Sequence, residues 1–551
     1  MQVSDLFRFR NAEIKALHLT WIAFFITFYV WFNMAPLAAS MLAAEDWLTR
    51  EDIQIFMIAN VALTIVARVF VGMALDRFGP RRVFAVLLVV MAIPTFVFAF
   101  GESRDVLFMS RLVISCVGAS FVIGIHMTSL WFKPRDIGFA EGFYAGWGNF
   151  GSAAAAMTIP TVALHLFGGE DGWRWAIATS GAIMALYGIF YWFAITDGPK
   201  PGTQRKPRKA SALEVSSWSD MLLLIVFTIP LYGVLALLVY RIEASQFIGS
   251  DTALVLYVAI AAIIVYQIVQ ILRVNVPILR RGVPADDRYP YKSAAALNVT
   301  YWANFGAEIA VVSMLPLFFL DTWGLTPVQA GLIASTFAFV NLFARPMGGL
   351  VSDRFGNRRF VMMAYMFGIG IGAVLMGLLD SSWPLVIAIA FTIFFSVFVQ
   401  GAEGATFGII PSVKRRLTGQ ISGMAGAYGN AGAVFYLFIL MYVTPQQFFF
   451  VIAAGAFISW LVCYFWLKEP EGSFADEYTL SSVDHEIARE IEQKSAVRIE
   501  LARLFPGKID LNERGDGFQL TARFKDLGEL RETVARLGKL EASEVAGGSK
   551  P

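Results

Sequence analysis

Cysteine, histidine and charged side chains are scarce in this 551-residue chain. Its two cysteines, Cys116 and Cys463, stand far apart inside apolar runs, which excludes a disulfide framework and a cysteine metal site. Four histidines supply no metal-ligand spacing, and no nucleotide-binding loop or nucleophile constellation is present. No enzyme, resident cofactor or metal is therefore expected. A net charge of +2 gives no reason to look for a nucleic-acid partner. Only 16% of residues are charged against 57% apolar and 15% aromatic, a balance outside the range of soluble domains.

What is present instead is a series of fourteen apolar runs between Leu17 and Leu467, each near the roughly 20 residues that cross about 30 Å of hydrocarbon as a helix. The expected class is an all-α membrane protein whose first partner is the lipid bilayer. MQVSDLFRFR is too polar for a secretory signal, so the first span should remain as an anchor. Basic residues collect in alternate loops: Arg77, Arg81 and Arg82; Lys133 and Arg135; Arg205 to Lys209; Arg280 and Arg281; Arg354, Arg358 and Arg359; Lys414 to Arg416. The positive-inside rule makes those loops cytoplasmic, and an even number of spans returns both termini to the cytoplasm.

The segment ARVFVGMALDRFGPRR (Ala67–Arg82) recurs 277 residues later as ARPMGGLVSDRFGNRR (Ala344–Arg359). If both copies end the second span of a six-helix half, the chain divides into four parts. These are a first half in 1–196, linkers and an inserted helix pair in 197–292, a second half in 293–469, and a tail in 470–551. The inserted pair, Met221–Arg241 and Thr252–Arg273, has almost no internal charge and lies outside the repeat, so it is expected to face lipid away from any pathway. Parallel six-helix repeats place a substrate site between the halves near mid-membrane. Beyond Glu469 the composition turns polar. GDGFQLTARF alternates like a strand and DLGELRETVARLGKL has helical spacing, so a small cytosolic α/β tail is expected, either docking on the spans or binding a cytosolic regulator; a solvated tail is the plainer reading.

Each copy of the repeat carries an arginine within its apolar part. Arg68 lies eight residues before Asp76, about 12 Å from the basic boundary and so near mid-membrane, and Arg345 has the same place in its half. A charge at that depth costs at least about 2.5–3.5 kcal/mol on insertion scales, and an anion or a buried carboxylate is needed to offset it. A planar guanidinium can give paired hydrogen bonds to a small planar oxyanion. Two readings stay open: one ligand shared by both arginines on the pseudo-twofold axis, or pairing of each with a carboxylate such as Glu308 or Glu403.

The pattern GxxxDRxGxRR, present as Gly72, Asp76, Arg77, Gly79, Arg81 and Arg82 and again as Gly349, Asp353, Arg354, Gly356, Arg358 and Arg359, resembles the cytoplasmic loop motif of the major facilitator superfamily. GFYAGWGNFGSAAA from Gly142 and GMAGAYGNAGAVFY from Gly423 resemble the paired glycine-rich signature of its nitrate/nitrite porter family. WFKPRDIGFAEGFYAGWGNFG, YWANFGAEIAVVSMLP and GAEGATFGIIPSV look like the cyanobacterial-type uptake members of that family.

The resemblance implies a major facilitator fold that carries nitrate and nitrite across a bacterial inner membrane by rocking of its halves. Proton symport and nitrate/nitrite exchange are both compatible with it, and another small oxyanion or an anion sensor are the competing readings. It implies that Arg68 and Arg345 bind the anion, that Tyr301 hydrogen-bonds it and Phe305 packs on its plane, with Phe121 as a partner from the first half. Asn149 and Asn430 can donate amide hydrogens. Gly148 and Gly429, with Gly151 and Gly432, let backbones approach the ligand or one another. The loop-motif glycines, aspartates and arginines are expected to form the conformational switch, through tight turns and charge-assisted bonds that hold one closed state. For proton coupling the spans offer Glu308 and Glu403, with His18 and His126 behind them. Glu308 follows Phe305 by three residues and Tyr301 by seven, which puts all three on one helical face.

Overall fold

The computed structural model describes residues 3–132, 134–198, 212–414, 417–469, 482–483, 509–514 and 517–522. Among the described residues fourteen helices are long and apolar enough to cross a membrane. The first half holds α1 (Ala12–Phe32), α2 (Arg50–Ala62 and Thr64–Phe78), α3 (Pro80–Ala99), α4 (Arg104–Ile114 and Ser120–Trp131), α5 (Pro134–Thr161) and α6 (Gly172–Ala194). Then come the inserted α7 (Trp218–Ala244) and α8 (Ser250–Arg281). The second half holds α9 (Tyr291–Trp323), α10 (Pro327–Phe339 and Asn341–Arg354), α11 (Arg358–Gly377), α12 (Leu385–Val413), α13 (Thr418–Leu440) and α14 (Pro445–Trp466). One end of the bundle carries Arg77, Arg81, Arg354 and Arg358 and is called the basic end below; the other, with Glu45, Glu51 and Asp321, is the acidic end.

All fourteen helices belong to one compact unit, Met1–Val283 with Arg288–Glu477. The second unit joins Pro284–Asp287 to the chain from Tyr478 onward. Within it the Ser482 backbone N–H and hydroxyl donate to Asp286 at 2.5 and 3.0 Å, and β1 (Ile509–Arg514) pairs antiparallel with β2 (Gly517–Ala522). The strand expected in GDGFQLTARF is β2; the helix expected over 526–540 lies outside the described residues.

The sequence repeat is also a repeat of backbone events. Thr49 and Asp52 form a capping box that starts α2, and Thr326 and Gln329, each 277 residues on, form the one that starts α10. Both helices then break, at Leu63 and at Val340, again at the same offset. The causes match as well. The Asn60 carbonyl accepts from Trp31 Nε1 at 2.5 Å, so it is diverted from the N–H of Thr64. The Phe337 carbonyl accepts from Ser396 Oγ at 2.5 Å and Gln400 Nε2 at 2.8 Å, and the N–H of Asn341 is released in the same way. Each break falls five residues before the intramembrane arginine.

Packing follows the same pseudo-symmetry. In the first half α1 runs along α5 and α3 along α6; in the second α9 runs along α13 and α11 along α14. The halves meet along two seams, α5 with α10 and α2 with α13. Of the inserted pair, α8 has only Ala253, Ile271 and Asn275 buried, which fits a lipid-facing helix. For α7 the expectation holds on one face only: Leu222, Val226 and Ile229 are exposed. A stripe from Met221 through Leu224, Leu231 and Leu238 to Ile242 is buried, at helical spacing, because α7 packs on α13, α9 and α2.

Close approach of α12 to α10 depends on Gly404, where an added Cβ would collide with the backbone carbonyl of Arg345. That neighbour is main chain and cannot step aside. Gly404→Ala should therefore destabilise the purified protein by about 1–3 kcal/mol. Gly233→Ala, at a site on α7 where a Cβ meets nothing within 4 Å, should not destabilise it. Thermal unfolding in detergent measures both.

Candidate functional site

Arg68 on α2 and Arg345 on α10 are buried, at 9% and 2% exposure, but their surroundings differ. Arg345 Nη1 lies 2.6 Å from Glu403 Oε2 on α12, an ion pair whose alignment falls short of a hydrogen bond. Its Nη2 donates to Tyr301 Oη at 3.0 Å, and its guanidinium carbon stands 6.0 Å from the centre of the Phe305 ring. Arg68 has no carboxylate at ion-pair distance among the described residues, and its Nε has no hydrogen-bond partner. Its guanidinium carbon lies 5.7 Å from the centre of the Phe121 ring on α4, with the phenols of Tyr301 and Tyr144 in electrostatic reach. Aromatic faces and neutral phenols soften the cost of burying that charge without cancelling it.

The aromatics join the two arginines. Tyr301 and Phe305 stack with centroids 5.1 Å apart and planes 15° from parallel. Phe407 of α12 stands edge-on to Tyr301 at 5.3 Å and reaches Phe121 at 5.8 Å, which carries the ring cluster from the second half into the first. The α13 backbone closes the box. At Gly429 a Cβ would come within 2.6 Å of the Phe305 ring and 2.7 Å of the Tyr301 ring; at Gly426 it would stand 2.6 Å from Arg68 Nη1. Gly148 has a packing role: its Cβ would strike the Phe24 ring of α1.

Below this box lies a buried acidic pair. Asn341, the first residue after the break at Val340, donates its amide to Glu308 Oε1, and the Glu308 and Glu403 carboxylates lie within hydrogen-bonding reach of each other. Asn149 of α5 is 1% exposed with neither amide atom bonded. Asn430 spends one amide hydrogen on the Gly426 carbonyl at 3.0 Å and leaves its Oδ1 unpaired. Buried amide atoms left unanswered are open to a polar guest.

The halves are locked at the acidic end, where Arg50 of α2 grips Asp321 of α9 through two hydrogen bonds, 2.5 and 3.0 Å. Toward the basic end they part. A Cβ at Gly72, Gly142 or Gly423 would meet no atom within 4 Å, and these glycines share helical faces with Arg68, Asn149 and Gly426.

Among the loop-motif residues, the side chains of Asp76 and Asp353 lie outside the described residues. Those of the rest that bond do so within their own half. Gly79 and Gly356 adopt φ of 79° and 71°. The N–H of Arg81 donates to Asp197 just past α6 at 2.7 Å, and that of Arg359 to Glu469 just past α14 at 3.0 Å. Arg358 donates to the Gly408 carbonyl, while Arg77 stacks on Phe78, guanidinium carbon to ring centre 5.2 Å, and Arg354 is exposed.

Four lining residues escaped the sequence reading: Tyr144, Asn341, Phe407 and Gly426. Asn341 sits four residues before Arg345, on the same face, and that spacing was the available signal. Phe407 and Tyr144 carried none in a chain with 49 phenylalanines and 17 tyrosines.

Because the Arg345–Glu403 pair is buried, removing one member strands the other. Glu403→Ala should destabilise the fold by about 3–5 kcal/mol, and the double variant Arg345→Ala/Glu403→Ala by less than the sum of the single changes. A double-mutant cycle by denaturant unfolding reads both.

The family model described as Major Facilitator Superfamily matches residues 20–280 and 297–507. A nitrate/nitrite transporter of Picosynechococcus, NrtP, is 40% identical over 508 residues, which cover 85% of this chain and 95% of its own. The NrtP of Nostoc punctiforme is also 40% identical, over 483 residues, with 86% and 96% covered. Among solved structures, an inward open conformation of the xylose transporter XylE from E. coli aligns with a TM-score of 0.56 at 13% identity, covering 84% of this chain and 97% of that one, a likeness of fold alone.

Proposed function

We propose that this chain, which belongs to the major facilitator superfamily, carries nitrate and nitrite across a bacterial inner membrane by alternating access of its two halves. One observation carries the reading: Arg68 is buried without a counter-ion among the described residues, inside an aromatic box that also holds Arg345. The relatives named as nitrate/nitrite transporters supply the cargo that suits it. A planar trigonal anion can take paired hydrogen bonds from the guanidinium fork of Arg68, a bond from Tyr301 and amide hydrogens from Asn149 and Asn430, with its plane against Phe305. By the positive-inside rule the basic end and both termini are cytoplasmic, so this conformation faces inward. The tail from residue 470 is then cytosolic, and we assign it a small α/β fold and contact with a cytosolic regulator. The loop motifs serve as the switch, tying the α2–α3 and α10–α11 turns to the ends of α6 and α14.

Charge arithmetic favours proton symport. With Glu308 and Glu403 both ionised, the two arginines and two carboxylates sum to zero, and a nitrate would bring an unmatched negative charge. With one proton on the pair they sum to +1, and one nitrate restores neutrality. Glu308 is the candidate tested below, since Glu403 is held by Arg345. Its Asn341 partner serves either protonation state through its two-faced amide.

Two outcomes are expected in proteoliposomes with labelled nitrate. Arg68→Lys and Arg345→Lys should each lower uptake by at least about tenfold although charge is kept, because lysine lacks the planar fork. Near-normal uptake in a folded variant would mean that only positive potential matters there. Glu308→Gln should abolish uptake driven by a pH gradient and keep exchange against nitrite preloaded inside. Unchanged pH-driven uptake would remove Glu308 from coupling and leave Glu403 to be tested.

A further inference from the structure

We propose that the inserted helix α7 and the turn after it form a diagonal strap across the halves, which holds the acidic end closed and so sets how readily the transporter opens there. The inference rests on alternating access by the two halves and is independent of the cargo.

Toward the basic end the strap is fixed to the second half. Tyr289 Oη donates to the Glu214 carbonyl at 2.6 Å, and the Tyr289 N–H to Ser216 Oγ at 2.9 Å. The Phe227 ring lies 6.0 Å from Trp466 and 6.5 Å from Tyr291, and Tyr428 of α13 donates its hydroxyl to the Phe227 carbonyl. Three residues on, Pro230 lacks an N–H, so the helix ladder is already weakened at the Val226 carbonyl, one residue before the one Tyr428 holds.

At the acidic end the strap grips both halves. Arg241 Nη2 donates to Glu51 Oε1 of α2 at 2.5 Å, and Ser245 Oγ donates to the same oxygen at 3.0 Å. The guanidinium carbon of Arg241 also lies 5.8 Å from the Tyr442 ring centre of the second half. Gln246 takes a φ of 60°, a left-handed conformation rare for a non-glycine residue, and turns Phe247 onto the first half. There the Phe247 ring packs 4.6 Å from Phe108 and under the guanidinium of Arg104, 3.9 Å from ring centre to carbon. Arg104 is held in turn by Asp52 of α2 at 2.5 Å.

The consequence is directional. When the basic end opens, the strap loses nothing, because its contacts there are with one half. When the acidic end opens, α2 and α4 must part from α9 and α13, and the strap has to release Glu51, Phe108 and Arg104 or leave the second half. It therefore adds to the Arg50–Asp321 lock only in one state, which is the condition for shifting a two-state equilibrium.

The test reads opening directly. In full-length protein with Cys116 and Cys463 replaced by alanine, a reporter Ser335→Cys sits on α10, one turn from Gly331, which abuts Ala156 of α5 across the seam; Ser335 is 3% exposed. Its labelling rate by a water-soluble maleimide, in detergent, reports separation at the acidic end. Arg241→Gln and Glu51→Gln should each raise that rate by about two- to fivefold, the range for a partly exposed ion pair. The charge swap Glu51→Arg/Arg241→Glu should bring it back. Phe247→Ala, which changes no charge, should also raise it, and Arg273→Gln on the lipid-facing α8 should leave it unchanged. No rise in Arg241→Gln or Phe247→Ala, or an equal rise in Arg273→Gln, would overturn the strap. Nitrate counterflow in the parent protein, measured separately, decides the cargo alone.

Discussion

A guanidinium taken out of water and lodged between two helix bundles must be answered by an opposite charge, and the two copies of that problem in this chain are answered differently. Arg345 has Glu403 beside it and Tyr301 on its other arm, so it is a fixed post. Arg68 has an aromatic face, neutral phenols and no carboxylate among the described residues. A buried charge left open costs several kcal/mol, and a bound anion recovers that cost. Most of the surrounding structure follows from placing these two charges: the break before each arginine, the carbonyls diverted to make it, and the bare α13 backbone at Gly426 that leaves Arg68 room.

On the proposed reading, the asymmetry explains how a repeated sequence can make a site for one small monovalent ion. Two free arginines would present a double positive charge and hold a nitrate too firmly or demand two. Two paired ones would offer nothing. One post and one open charge leave a single unit of charge for the anion to match.

Movement uses the same parts. The seams α5–α10 and α2–α13 are related by the pseudo-twofold axis and carry the site helices of both halves. On their basic-end side the glycines face open space, whereas the acidic end is bolted by Arg50 and Asp321. In the inference drawn above, α7 laid over α2–α13 gives this chain a state-dependent contact that a bare two-fold bundle lacks.

Much of this was legible beforehand. Fourteen spans and the 277-residue repeat are properties of hydropathy and spacing, each decided by the local chain and the membrane thickness. Tyr301, Phe305 and Glu308 shared a face by helical geometry alone. What only the tertiary structure decided is who meets whom between helices. That Arg345 has a counter-ion and Arg68 has none among the described residues, that Asn341 holds Glu308, that Phe407 joins the ring cluster across the halves, and that α7 buries a whole stripe while its partner α8 buries almost nothing all depend on how each helix is rotated and shifted against its neighbours. Rotation and register come from the sum of many side-chain contacts with distant segments, and a period of 3.6 along one helix carries no record of them.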